Sequence, residues 1–202
     1  MVGAPGPDLA TGAPTGGHRP GPGGASARPD AEAPPGPPGL PTAFRELMSR
    51  FPTGVCVVTT VAASGEPFGL TCTSLSSVTL RPPTLLVCLQ QRSRTLAALR
   101  ASGRFAVNLL HARGRQAAQV FAGSRPDQFA AVRWRRSEPA GLPWLVDDAF
   151  AYADCDVAGL QPVGEHVVVF GQVTTVACDT DVPLLYGLRQ FSSWQPEPSP
   201  LP

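Results

Sequence analysis

At 202 residues with 43% hydrophobic side chains, the chain has length for one domain with a sizeable core, and a formal net charge of +1 gives nucleic acid no electrostatic footing. No apolar run reaches the roughly 18 residues of a membrane span, and the N-terminus lacks the basic-then-apolar layout of a secretory signal, so a soluble cytoplasmic protein with no membrane partner is expected. The five cysteines, Cys56, Cys72, Cys88, Cys155 and Cys178, are odd in number, lack C-x-x-C spacing and mostly fall in apolar runs, where reduced thiols behave as small hydrophobes.

The first 41 residues contain ten glycines and eleven prolines and no aromatic side chain, too little apolar surface to offset the entropy of ordering; they read as a disordered tail that includes His18. Residues 195–202, where proline alternates with small and polar side chains, read as a second loose tail. One domain is expected over 42–194. Thr42 is the expected N-cap of a helix over 43–50, with Phe44, Leu47 and Phe51 on one side and a stop at Pro52-Thr53-Gly54. Residues 55–61 are β-branched and apolar, Ser64-Gly65-Glu66-Pro67 is a turn, and 68–73 returns, which predicts a hairpin. A further strand over 84–90 starts after prolines that cannot sit in a central ladder. Ser93 caps a helix to 101 that Gly103 ends, 105–110 is a strand, and 115–121 is a helix with Ala117, Ala118 and Phe121 on its apolar side. Strands over 149–157 and 167–177 close the domain. Neighbouring strands joined by turns, with helices only at intervals, fit a mainly β Greek-key barrel; no G-x-G-x-x-G follows a strand, which argues against a Rossmann site.

Residues 71–79 stand out because they offer six side-chain hydroxyls along a strand and the loop after it. Hydroxyls donate and accept without adding charge, which suits a phosphate or the polar tail of a cofactor. Other constellations are weaker. Ser74, His166 and Asp154 could be assembled into a triad, yet no G-x-S-x-G elbow surrounds any serine. No spacing of His, Cys or carboxylates suits a metal. Arg133, Arg135 and Arg136 around Trp134 read as a solvated segment or a cofactor entrance rather than a nucleic-acid platform.

The order F-P-T-G-V-x-V-V-T-T (Phe51 to Thr60), G-L-T-x-T-S-x-S-S-V-T-L-x-P-P (from Gly69), S-R-T (Ser93 to Thr95), G-R-F-A-V-N-L-L (from Gly103) and G-E-H (Gly164 to His166) resembles the flavin reductase-like family. The resemblance implies a split β-barrel of the FMN-binding type, in which Thr53, Leu70, Thr71, Cys72, Thr73, Ser74, Ser76 and Ser77 line the flavin. It also implies that Ser93, Arg94 and Thr95 contact its phosphate, that Asn108 and Tyr186 lie near it, and that His166 is catalytic on the nicotinamide side. A predicted helix N-terminus at Ser93 independently favours an anion there. Local readings stand beside these: Asn108 satisfying a neighbouring backbone group, Tyr186 and Phe191 packing in the core, His166 entering a strand at a turn. The chain departs from the family pattern in Thr73 for asparagine, Glu165 for aspartate, and Leu188-Arg189-Gln190-Phe191 at the terminal motif.

The resemblance implies an NAD(P)H-dependent flavin reductase that takes hydride from NADH or NADPH to FMN or FAD, forms a homodimer, and supplies reduced flavin to a partner monooxygenase. The alternatives are a split-barrel oxidase or oxygenase with tightly held flavin, and a flavin-binding module without turnover. Every basic residue is arginine, and Arg92, Arg113, Arg125 and Arg133 are the candidates for a 2′-phosphate contact.

Overall fold

The computed structural model describes residues 37–123 and 125–195, so the expected tails, apart from residues 37–41 and 195, lie outside the described residues, as does His18. In chain order the elements are α1 (Leu40–Ser49), β1 (Thr53–Gly54), β2 (Cys56–Val61), β3 (Pro67–Cys72), β4 (Ser76–Leu80), β5 (Pro83–Gln90), α2 (Arg94–Ser102) and β6 (Arg104–Leu110). Then follow α3 (Arg115–Ala122), β7 (Arg135–Arg136), β8 (Pro143–Trp144), β9 (Ala149–Val163), β10 (His166–Cys178), β11 (Leu184–Gly187) and β12 (Gln190–Ser193).

Seven strands make one antiparallel sheet in the order β3-β2-β6-β9-β10-β5-β4, while β11 sits between β1 and β12, and β7 and β8 form a short ribbon. β3 and β4 follow each other in sequence yet lie at opposite edges of the sheet. Three residues, Thr73 to Leu75, span that jump, so the sheet must curl until its two ends face each other. The result is the expected mainly β split barrel with short helices, closed by curling rather than by a continuous ladder. Cys56, Val58, Val87, Leu89, Phe105, Val107, Val167 and Val169 fill its interior. α2 plugs one end with Leu96 and Leu99, both fully buried. Each such side chain contributes about 1.5–3 kcal/mol by leaving water. α2 has the ends its sequence dictates: the Leu96 N–H donates to Ser93 Oγ at 3.4 Å, and Gly103, at φ 68°, donates its N–H to the Leu99 carbonyl at 2.9 Å.

A second apolar cluster of Val57, Leu110, Ala118, Phe121 and Leu145 seats α3 on the outside of the barrel. Asn108 secures the neighbouring segment. It is fully buried on β6, its amide donates to the Val57 carbonyl at 3.2 Å and the Pro143 carbonyl at 3.3 Å, and its oxygen accepts the Leu145 N–H at 2.8 Å. Buried Asp154 does the same for the turn before β8, accepting from Ser137 at 3.1 Å and from the Tyr152 hydroxyl. Burial, then the Asp154 bond, pushes the Tyr152 phenol above its ordinary range.

The structure corrects several expectations. α1 begins at Leu40 rather than Ala43, because Gly39 takes the left-handed N-cap geometry (φ 83°) and proline in the first turn suits a helix start; Thr42 lies inside the helix, and residues 40 and 41 leave the expected tail. Its apolar residues Phe44, Leu47 and Met48 remain exposed. The second half of the hydroxyl segment is a strand, β4, paired to β5 from Ser76 to Leu80. β9 and β10 outrun their apolar stretches because their pairing continues to Val163 and His166 after the side chains have left the core. The β11–β12 hairpin turns on Leu188 (φ 51°) and Arg189 (φ 60°), without the Asn-Gly signal such a turn usually carries.

Gly171 of β10 leaves no room for a side chain: a Cβ there would run into the Phe105 ring and lie 3.0 Å from Cys155 Cβ, both in the core, whereas at Gly159 the nearest atom would be at 3.5 Å. Gly171→Ala should lower unfolding stability by about 1–3 kcal/mol in urea titration through overpacking, with Gly159→Ala staying within about 0.5 kcal/mol.

Candidate functional site

The split arises where β4 stops covering β5. Pairing of β4 with β5 reaches Leu86 at Ser76, so residues 87–90 of β5 face the free edge of β3 with no strand between. Two unpaired edges would normally be a liability. Ser74 bridges them at one end: the Cys88 N–H donates to its hydroxyl at 2.9 Å, and the hydroxyl donates to the Cys88 carbonyl at 3.2 Å, so one side chain satisfies both backbone groups. Beyond Ser74 the edges diverge into a cleft of about 560 Å³, a size ordinary for a cofactor or metabolite site.

One wall is β3 with α3 behind it. Thr71 donates its hydroxyl to the Ala118 carbonyl at 2.6 Å, which fastens α3 to the strand. A Cβ at Gly69 would come 2.7 Å from the Phe121 ring, so glycine is what lets α3 lie so close. Gln128 closes the far end of α3, donating to the Val120 carbonyl at 3.1 Å and the Gly123 carbonyl at 2.7 Å. The opposite wall is the end of β5 and the start of α2, where Ser93, Arg94 and Thr95 enter the cleft and the Arg94 guanidinium lies 5.9 Å from the Phe68 ring centre. The third side is the turn Gly164-Glu165-His166. Gly164 takes φ 53°, the Gln91 N–H donates to the Glu165 carbonyl at 2.9 Å, and the Gln91 side chain donates to the Gly164 carbonyl at 2.8 Å. This turn sets His166 opposite Gln90 in register and at the rim.

Among the described residues the lining carries Arg92, Arg94 and His166 but no carboxylate, against an apolar wall of Phe68, Leu70, Leu89 and Phe121. A flat ligand with an anionic group suits such a lining: donors and an N-terminal helix dipole at the start of α2, ring surfaces on β3 and α3. Behind it, the Cys56 thiol is pushed well above the ordinary thiol range by its bond with Cys72 and by burial, which leaves it inert.

Leu70, Thr71, Ser93, Arg94, Thr95 and His166 are thus brought together, while the other expected residues go elsewhere. Cys72 turns into the barrel core and Thr73 faces solvent. Ser74 is committed to Cys88, and Ser76 and Ser77 stand exposed on β4. Asn108 uses its amide on the 143–145 segment, and Thr53 pairs with Tyr186 in the small sheet, where Tyr186 packs edge-on against Phe191 with ring centres 5.2 Å apart. Phe68, Phe121 and Gln128 were not foreseen in the lining; the tight Gly69 was the available signal for a close partner on that face.

The chain matches the family described as the flavin reductase like domain over residues 48–195. It is 56% identical over 153 residues to the flavin reductase (NADPH) of Lentzea aerocolonigenes, covering 76% of this chain and 89% of that protein. It is 38% identical to the flavin-dependent monooxygenase, reductase subunit HsaB, of Mycobacterium tuberculosis, covering 78% of this chain and 84% of that one. Among solved structures, the Streptomyces globisporus C-1027 NADH:FAD oxidoreductase SgcE6, in complex with NAD and FAD fragments, superposes with a TM-score of 0.75 at 32% identity, covering 81% of this chain and 98% of that chain.

Because Ser74 alone serves the Cys88 backbone, Ser74→Ala should cost about 1–3 kcal/mol in chemical denaturation, the penalty for stranding a partly buried donor. Ser76→Ala, on the exposed strand, should stay within about 0.5 kcal/mol.

Proposed function

This chain belongs to the flavin reductase-like family, and from that membership we propose that it is an NAD(P)H-dependent flavin reductase that passes hydride to FMN or FAD and supplies reduced flavin to a partner monooxygenase. The observation that carries the reading is the cleft at the split, with an arginine-bearing helix N-terminus at one end, an apolar wall along its length and a histidine at its rim. The residues fit a flavin: Ser93, Arg94 and the first N–H groups of α2 would hold its phosphate, and Phe68, Leu70 and Phe121 would lie against the ring system and exclude water. Bound flavin supplies the hydride acceptor. Thr71 holds the wall in place through α3, and His166, fixed by the Gln91 contacts to its turn, orients the nicotinamide side.

The same reading takes the chain as a cytoplasmic homodimer. The apolar side of α1, with Phe44 57% and Leu47 63% exposed, and the edge strand β4, with Leu80 84% exposed, are surfaces that a second copy would cover. No helix among the described residues is long and apolar enough to cross a membrane. Release of reduced flavin to an oxygenase is in keeping with the name of the relative that is a monooxygenase reductase subunit.

Under anaerobic conditions, catalytic protein should bleach many equivalents of free flavin on addition of NADPH or NADH; bleaching of one equivalent only would favour a bound prosthetic group. Arg94→Ala should weaken flavin affinity about tenfold in a fluorescence titration, the scale of one charged contact, with the melting temperature unchanged. His166→Ala should slow single-turnover flavin reduction about tenfold and change flavin affinity less, as loss of alignment predicts.

A further inference from the structure

The cleft presents more positive charge than one phosphate needs. Arg94, with Ser93 at the start of α2, is assigned in the reading above to the phosphate on the flavin's ribityl chain. Arg92 is left over. It lies on the turn between β5 and α2, exposed, facing the cleft, and no carboxylate among the described residues pairs with it. The other arginines placed to read a second phosphate are engaged. Arg113 makes a two-pronged bond to Asp181 at 3.2 and 2.6 Å, Arg125 one to Asp127 at 3.1 and 2.9 Å, and Arg133 lies 3.4 Å from Asp147; none of the three lines the cleft.

The turn that carries Arg92 is held on both sides. The Ser93 N–H donates to the Gln90 carbonyl at 3.0 Å, and Gln91 binds the Gly164-Glu165 backbone next to His166. Arg92 therefore projects from a braced position on the same rim as the residue assigned to the nicotinamide. Whatever the fold, a carboxylate beside the adenosine ribose repels a 2′-phosphate, whereas an arginine accepts one. Here, among the described residues, the lining has the arginine and lacks the carboxylate.

We propose that Arg92 recognises the 2′-phosphate of NADPH and that the chain prefers NADPH to NADH for this reason. The inference rests on the reductase reading and goes beyond it by naming the nucleotide and the residue that selects it. The guanidinium fork matches a phosphate monoester, and the group's extra charge over NADH is where the two donors differ.

The test compares wild type with Arg92→Ala and Arg92→Lys in two assays. In the first, kcat/KM is measured for NADPH and NADH at saturating flavin. Wild type should favour NADPH about tenfold or more, and Arg92→Ala should collapse that ratio through KM for NADPH, with Arg92→Lys recovering part of it. In the second, calorimetry without flavin or turnover measures adenosine 2′,5′-bisphosphate and adenosine 5′-monophosphate. Arg92→Ala should weaken the first about tenfold more than the second. A wild-type preference for NADH, equal losses for both nucleotides, or equal losses for both adenosine probes would overturn the assignment. So would a tenfold loss of flavin affinity in Arg92→Ala, which would give Arg92 to the flavin phosphate. If wild type reduced no free flavin with either nucleotide, the reductase reading would fall, and the adenosine comparison would still decide whether Arg92 reads a 2′-phosphate.

Discussion

The hydroxyl of Ser74 is the contact on which the site depends. A seven-stranded antiparallel sheet that curls on itself must either complete its ladder or leave two edges open, and an open edge in a core costs unpaired backbone groups. By taking both the N–H and the carbonyl of Cys88, at 2.9 and 3.2 Å, one side chain stands in for a strand's worth of pairing at the point where β3 and β5 are still close. A little further along, no side chain does so, and the same edges open into the cleft. Closure and access are thus set by the same two edges.

The chemistry of the cleft follows from what is forced to gather there. β5 must end before α2 can plug the barrel with Leu96 and Leu99, so the helix N-terminus and its dipole fall beside the open edge. The long β9–β10 hairpin must turn back where β5 ends, so its Gly164-Glu165-His166 turn meets Gln91. α3 must cover the outer side of β3, and Gly69 lets it approach until Phe121 becomes a wall. A helix N-terminus, a histidine rim and an aromatic side therefore converge as consequences of packing. The sequence then adds two arginines and, among the described residues, places no carboxylate in the lining.

Much of this was legible in the residues. Ser93 and Gly103 bounded α2 to within a residue or so, because caps are local chemistry, and β-branched runs located the core strands. Ser93, Arg94, Thr95 and His166, which line the cleft, could be named as candidates because they sit at a helix N-terminus and beside a turn, where short motifs carry geometry. The hydroxyl segment was less legible. Its composition suggested one polar cradle, yet Thr71 braces α3, Cys72 enters the core, Thr73 meets solvent, Ser74 bridges, and Ser76 and Ser77 ride an exposed strand. Hydroxyls say that hydrogen bonds will be made; which partner each finds depends on long-range pairing, such as β4 on β5, that no local pattern encodes. Asn108 is the same case: the motif around it marked importance, and a contact 37 residues away, to Leu145, decided its kind.

That division has a physical root in strand alternation. Successive side chains of β3 point to opposite faces, so Leu70 and Cys72 fill the barrel while Gly69 and Thr71 meet α3, and the strand's remaining polarity lies in its edge. A strand with both faces committed to packing offers the cleft its edge backbone and the partly buried flanks of Phe68 and Leu70, with no charged side chain among them. The charged side chains of the cleft stand instead on a turn and at the first residues of the elements that border it: Arg92 on the turn before α2, Arg94 opening α2 and His166 opening β10. Turn residues carry little of the packing, so their identity can change the ligand without disturbing the barrel that positions it.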